Sequence, residues 1–190
     1  MNDAIQAVQS APADAVDKNY YRVTIRAPIH KVWAELTREN TVLPFFFNSV
    51  CKTPDGLKLG APVRMVSKNG KHAAVVGDVI DFEPPYRYAH TFQFTSLEDA
   101  PCTIRYELKE VADGTEFTLI SERVPAGTKS EKYMESGGQF ITTNFKAFVE
   151  TGKATPGGRF ALAMMGLTAF MTPASCRIEN WPFDRKINVD

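Results

Sequence analysis

The sequence predicts an α+β fold in which one long helix lies across a curved antiparallel sheet. Two patterns carry this expectation. From Ser130 to Gly152, Met134, Ile141, Phe145 and Phe148 recur at helical spacing, and Lys132, Glu135, Gln139, Thr142, Lys146 and Glu150 take the other side. From Cys51 to Glu122 the period falls to two, and turn signals punctuate it at Asp55-Gly56, Asn69-Gly70, Pro84-Pro85, Ala100-Pro101 and Asp113-Gly114. The 190 residues, 44% of them hydrophobic, suffice for one domain with its own core.

Residues 1–18 are rich in Ala, Gln, Ser and Asp and lack a basic start followed by an apolar run, so a mobile tail is expected rather than a signal peptide. Tyr20 to Arg26 alternates as a half-buried strand that Pro28 ends. Two short helices are expected next; the first spans Pro28 to Thr37, where Ile29, Val32, Trp33 and Leu36 share a stripe. Pro44 then interrupts an apolar cluster. Phe45, Phe46 and Phe47 cannot all face one way: they plug the end of a core, or some line a pocket mouth.

Strands are expected near Val50–Thr53, Ala61–Ser67, Lys71–Phe82, Arg87–Thr95, Thr103–Val111 and Thr115–Arg123, giving a sheet of about six or seven. Tyr88, His90, Phe92 and Phe94 share a face, as do Ile104, Tyr106 and Leu108, and Phe117 and Leu119. Lys71–Phe82 is apolar on both faces, and its orientation cannot be read.

The long helix has both ends marked, by Thr128 with Glu131 as a capping box and by Gly152 as a left-handed stop. Gly137-Gly138 inside it costs roughly 1 kcal/mol per glycine against alanine. Either the helix kinks or restarts there, with Ser136 as cap, or its backbone closely approaches a sheet or a bound molecule. Residues 153–190 form an extension. In Arg159–Phe183, Phe160, Met164, Leu167 and Met171 make a stripe, and Ala161, Leu162, Met165 and Phe170 leave little polar surface. Such a helix is expected to dock on protein, as a lid on its own domain with Trp181 anchoring the end, or as a homodimer contact.

Lys plus Arg and Asp plus Glu both number 22, so no charge excess points to nucleic acid or an anionic membrane. Cys51, Cys102 and Cys176, an odd number without a C-x-x-C pair, fit free thiols in a reducing cytoplasm. The most apolar run, Phe160 to Met171, is too short to span a bilayer, which takes about 20 residues. His30, His72 and His90 stand far apart, so no metal is expected, and no cofactor motif is present. Ser121 and Ser136 have no identifiable base. His90 is either a core histidine bonded to backbone or tyrosine, or a cavity residue acting as donor or general acid-base with Tyr106. Arg64, His72 and Asp78 are weaker candidates, read as solvated strand residues.

The stretches VTIRAPIHKVWAELT, APVRMVSKNGKHAAVVGDVIDFEPPYRYAHTFQF and TIRYELKEVADGTEFTLISE, followed by the long helix, resemble the START-like, or SRPBCC, helix-grip superfamily. The Ala-Pro then Val-Trp pair, the Gly77–Pro85 segment and the Asp113-Gly114-Thr115 hairpin look most like bacterial homologues of the activator of heat-shock-protein-ninety ATPase, often described as polyketide cyclase-like. The resemblance covers about Tyr20 to Gly152 and implies a ligand-binding domain over 19–152. Relatives usually carry Gly-Trp in the final helix where this chain has Gly137-Gly138; losing the indole should enlarge the cavity or admit another side chain.

The resemblance implies a small hydrophobic ligand held between sheet and helix. Expected lining residues are Phe45, Phe46, Met65, Tyr88, His90, Phe92, Tyr106, Phe117, Met134, Gly138, Ile141 and Phe145. A cyclase-like proton-transfer enzyme using His90 and Tyr106, and a co-chaperone acting through its surface, are the alternatives.

Overall fold

The computed structural model describes residues 18–167 and 171–189. Its strands are β1 (Lys18–Ile25), β2 (Val42–Leu43), β3 (Ser49–Lys52), β4 (Pro62–Val66), β5 (Ala73–Glu83), β6 (Arg87–Phe94), β7 (Cys102–Val111) and β8 (Gly114–Glu122). All pair antiparallel in one sheet ordered β1-β8-β7-β6-β5-β4-β3-β2. The helices are α1 (Ile29–Leu36), α2 (Lys129–Thr151) and α3 (Pro156–Leu167).

The sheet has eight strands, not six or seven. The additional one, β2, is two residues long and too short to show alternation. The second expected helix is a single 3-10 turn at Pro44–Phe46, ended by Phe47 and Asn48 in left-handed backbone at φ 54° and 58°. The N-terminal segment expected as a tail lies, through residue 17, outside the described residues; Lys18 already pairs with Glu122.

Helix α2 forms where its caps place it. Thr128 Oγ1 accepts from the Glu131 backbone N–H at 3.2 Å, and the Glu131 carboxylate accepts from Gly127 N–H at 2.8 Å. Gly152, at φ 76°, donates to the Phe148 carbonyl and ends the helix. The helix runs unbroken through Gly137-Gly138. Gly138 instead permits a close approach: a Cβ there would stand 2.4 Å from the Tyr21 ring on β1. Thr142, expected on the polar side, is buried and donates to the Gly138 carbonyl at 2.7 Å.

The main core lies between the inner face of the sheet and α2. Phe145 is fully buried, its ring 4.8 Å from Phe117 on β8 and 4.7 Å from Phe45. Burying such a side chain contributes about 2–3 kcal/mol. A second cluster covers the outer face, where Val50, Val66, Ala73 and Val76 pack under Trp181 and Ile187. That arrangement explains why β5 is apolar on both sides: Val79 faces the main core and Val76 the outer cluster. Register shifts between Met65 and Val66, and between Val79 and Asp81, further break its alternation.

Residues 171–189 thus form a strap over the outer face, away from the inner face where a lid was expected. Arg64, read from sequence as solvated, is fully buried under it. Its guanidinium donates to the carbonyls of Val63, Gly77, Trp181, Pro182 and Arg185 at 2.8–3.1 Å. Asp78 is buried too, accepting from Lys186 Nζ at 3.1 Å and Ile187 N–H at 2.7 Å. Half-buried His72 bridges to Arg177. Helix α3 is tied to α2 through Asn144 Oδ1, which accepts from both Thr155 N–H and Thr155 Oγ1–H. It buries Gly158 and Leu162. The expected docking stripe points outward, with Phe160 70% and Leu167 69% exposed. Phe170, expected on the same helix, lies outside the described residues.

Candidate functional site

The inner face brings together the polar residues that alternation placed on one side of β6 and β7. Tyr88 and Tyr106 are direct cross-strand partners, and their rings stack at 5.4 Å and 22°. His90, the next inward residue on β6, stacks on Tyr88 at 5.3 Å and lies 6.0 Å from Tyr106. Phe117 stacks on the other side of Tyr106 at 6.1 Å, and Phe46 meets Tyr106 edge-on at 6.0 Å. Phe145 and Met134 reach this core from α2. The Phe45–Phe47 run divides its work: Phe45 is fully buried, Phe46 stays half-buried over Tyr106, and Phe47 stacks on Phe140 at 4.4 Å.

The imidazole of His90 is fixed by its neighbour. Nδ1 lies 2.7 Å from the Thr91 carbonyl, and a carbonyl only accepts, so Nδ1 carries the proton and Nε2 of the neutral ring is an acceptor. Gly77 makes this possible, since a Cβ there would stand 1.7 Å from the Thr91 oxygen and 3.0 Å from His90 Nδ1. Burial pulls the His90 pKa down to about 4, so the ring is neutral at pH 7. Burial also raises both phenols, with smaller contributions from the nearby Cys51.

Cys51, on β3, belongs to this group although the sequence singled it out only as a free thiol. It is buried, and burial followed by the charge of Glu39 pushes its thiol up to about 12. A protonated thiol is no nucleophile at neutral pH. The signal was its place in the core alternation of a strand too short for that alternation to be read.

These groups have different access. Ser121 Oγ, on the inner face of β8, is the sealed side-chain polar atom without a partner among the described residues. The hydroxyls of Tyr88 and Tyr106 and His90 Nε2 also have no protein hydrogen bond among the described residues, but unlike Ser121 Oγ they are not sealed. Around them Phe46, Met65, Phe92 and Ile141 remain half-buried, leaving apolar surface on the concave side incompletely covered. Gly138 differs from the other expected lining residues in facing the Tyr21 ring of β1. Phe92 packs edge-on against Phe94 at 4.8 Å, and Phe94 against Tyr133.

The set offers two neutral phenol donors and one imidazole acceptor in apolar surroundings. It suits holding an uncharged molecule by directed hydrogen bonds. Among the described residues no cluster of His, Cys, Asp and Glu could hold a metal ion, and no helix is long and apolar enough to cross a membrane.

A sequence family described as activator of Hsp90 ATPase homolog 1-like protein matches residues 26–150. No curated protein matches the chain. Among solved structures, DynU16, a putative protein of the dynemicin biosynthetic locus, is 22% identical with TM-score 0.59, over 73% of this chain and 49% of its own. The Aha1 dimer from Colwellia psychrerythraea is 14% identical with TM-score 0.59, over 73% and 99%. An HSP90 activator from Plasmodium falciparum is 18% identical with TM-score 0.55, over 70% and 93%. At these identities the likenesses establish the shared helix-grip fold.

Proposed function

We propose that this chain, which belongs to the family of activator of Hsp90 ATPase homolog 1-like proteins, binds a small, uncharged, largely apolar ligand between the inner face of its sheet and α2. One observation supports the reading: the Tyr88 and Tyr106 hydroxyls and His90 Nε2, all on side chains more than nine-tenths buried, lack protein partners and are not sealed. Leaving such groups dry and unpaired costs about 1–3 kcal/mol each, so an occupant that pairs them is favoured. Half-buried Phe46, Met65, Phe92 and Ile141 supply the apolar contact. Binding rather than turnover fits the electrostatics, because a histidine with a pKa near 4 is a weak base at pH 7. Three free, buried cysteines suit a reducing cytoplasm.

The test is binding of 2-naphthol and of naphthalene to the full chain, with native mass spectrometry of the protein as purified to detect a retained molecule. 2-Naphthol should bind in the micromolar range, about 8 kcal/mol, and more tightly than naphthalene. Tyr88→Phe with Tyr106→Phe should erase the difference between the two probes. Equal affinity for both in the unaltered protein would overturn the reading.

A second reading has its own support. The Plasmodium falciparum neighbour is described as an HSP90 activator and the Colwellia psychrerythraea neighbour as a dimer. Here α3 exposes Phe160, Met164 and Leu167, a surface suited to a co-chaperone contact or a homodimer. Stimulation of an Hsp90 ATPase by the full chain, lost on Phe160→Ser with Leu167→Ser, would favour it.

A further inference from the structure

A cavity lies on the opposite face of the sheet, away from the interior. Where the strap crosses β5, β6 and β7 it leaves a cavity of about 260 Å³ lined by Asp78, Ile80, Thr91, Thr103, Arg123 and strap residues 186–189. We propose that this cavity binds a small organic carboxylate with an apolar body.

Its floor is a pair of hydroxyls. Thr91 and Thr103 are direct cross-strand partners, each about 95% buried, and they point outward because His90 and Ile104 beside them point inward. Thr91 Oγ1 accepts from Asp78 N–H at 2.9 Å, which leaves its own proton to donate. Thr103 Oγ1 has no protein partner among the described residues and is not sealed, so its hydroxyl opens on the cavity.

Charge decides the sign of the occupant. Asp78 is matched at home: one oxygen accepts from Lys186 Nζ and the other from Ile187 N–H. Arg123 is the cation left over. It makes no ion pair or hydrogen bond among the described residues, and it sits at the end of β8 in left-handed backbone at φ 58°, which a non-glycine residue adopts only at some cost. A carboxylate seated on that floor would accept from the two threonine hydroxyls and face the guanidinium. Ile80, 46% exposed, and Ile187 offer apolar walls to the remainder of the molecule. The volume limits that remainder to roughly one ring, below the usual 300–1,000 Å³ of drug-sized sites.

The experiment titrates the full ¹⁵N-labelled protein with benzoate and, in parallel, with inorganic phosphate. Benzoate should give saturable shifts at the amides of Asp78, Ile80, Thr91, Thr103, Arg123 and Ile187, weakening as salt rises. Arg123→Gln should weaken it at least tenfold with an unchanged thermal midpoint, Arg123→Lys should retain most of it, and Thr103→Val should lose severalfold. Absence of saturable shifts at those amides, or equal affinity in Arg123→Gln, overturns the site. Phosphate binding as tightly as benzoate overturns the assignment to a carboxylate with an apolar body. Loss of 2-naphthol binding in the interior leaves every one of these outcomes unchanged.

Discussion

The Tyr21 ring on β1 lies over Gly138 on α2 with no room for a methyl group between them, whereas a Cβ added at Gly137, one residue earlier, would stand 3.9 Å from Phe47, in ordinary contact. Adjacent glycines in one helix therefore answer to different physics. Gly137→Ala gains helix propensity in ordinary contact and should stabilise by up to about 1 kcal/mol. Gly138→Ala forces the tyrosine aside and should destabilise by about 1–3 kcal/mol despite the same propensity gain. Opposite shifts in urea midpoint are the expected result, and adding Tyr21→Ala should relieve the second variant. Two shifts of the same sign would show that the helix and β1 are not in this contact.

Phe145 joins α2 to the sheet. With its ring against both Phe117 and Phe45 and no exposure at all, Phe145→Ala should cost about 3–5 kcal/mol in equilibrium unfolding. Phe160→Ala, on the exposed face of α3, should cost less than about 0.5 kcal/mol. Similar losses for the two would contradict the burial pattern.

How far the fold could be read depended on whether each element carries its own signal. Residues 87–94, 102–111 and 114–122 are solvated on part of one face, so alternation marked them to within a residue, and Thr128, Glu131 and Gly152 marked α2. β5 carried no such signal, because its outer face is covered by Trp181 and Ile187, about a hundred residues downstream, and two register shifts break its period. Arg64 and Asp78 were misread as solvated for the same reason: their partners belong to the strap. In the site, Tyr88, His90 and Tyr106 were legible because they share the inner phase of β6 and β7. Cys51 and Tyr21 were not, since only the three-dimensional arrangement brings β3 to the phenols and β1 to Gly138.

Acid should expose the buried histidine. His90 has a folded-state pKa of about 4 against 6.5 when unfolded, so the unfolded chain binds the extra proton between those values. Its contribution is fully present above pH 6.5 and is lost as pH falls toward 4. The total is roughly 3 kcal/mol at 1.36 kcal/mol per pH unit. In His90→Asn that component is missing, while carboxylates such as Asp81 and Glu122, held low by arginine and lysine partners, titrate in both proteins. The stability difference between wild type and variant should therefore shrink as pH drops from 6.5 to 4. Parallel curves across that window would mean that His90 is not buried as a neutral ring.

Arg64 sets the last expectation, because it makes the strap part of the fold. Three of its five acceptor carbonyls, those of Trp181, Pro182 and Arg185, come from the strap, and the guanidinium also lies 5.7 Å from the Phe183 ring. Arg64→Met keeps the apolar stem but leaves the two interior acceptors, Val63 and Gly77, without their donor. Each buried hydrogen bond from the charged donor so lost costs about 1.5–3 kcal/mol, and the strap loses its anchor along with them. Overall stability should fall by about 3 kcal/mol. Limited proteolysis separates this anchoring from a general loss of stability: in Arg64→Met, cleavage after residue 175 should accelerate at least tenfold under native conditions while α2 stays intact. Lys186→Ala, which removes a partly exposed pair with Asp78 but spares the Ile187 amide bond, should accelerate it far less. If Arg64→Met unfolds the whole chain at the same denaturant concentration at which the strap is released, the strap and the sheet are one cooperative unit. If neither stability nor cleavage changes, the guanidinium does not hold the strap.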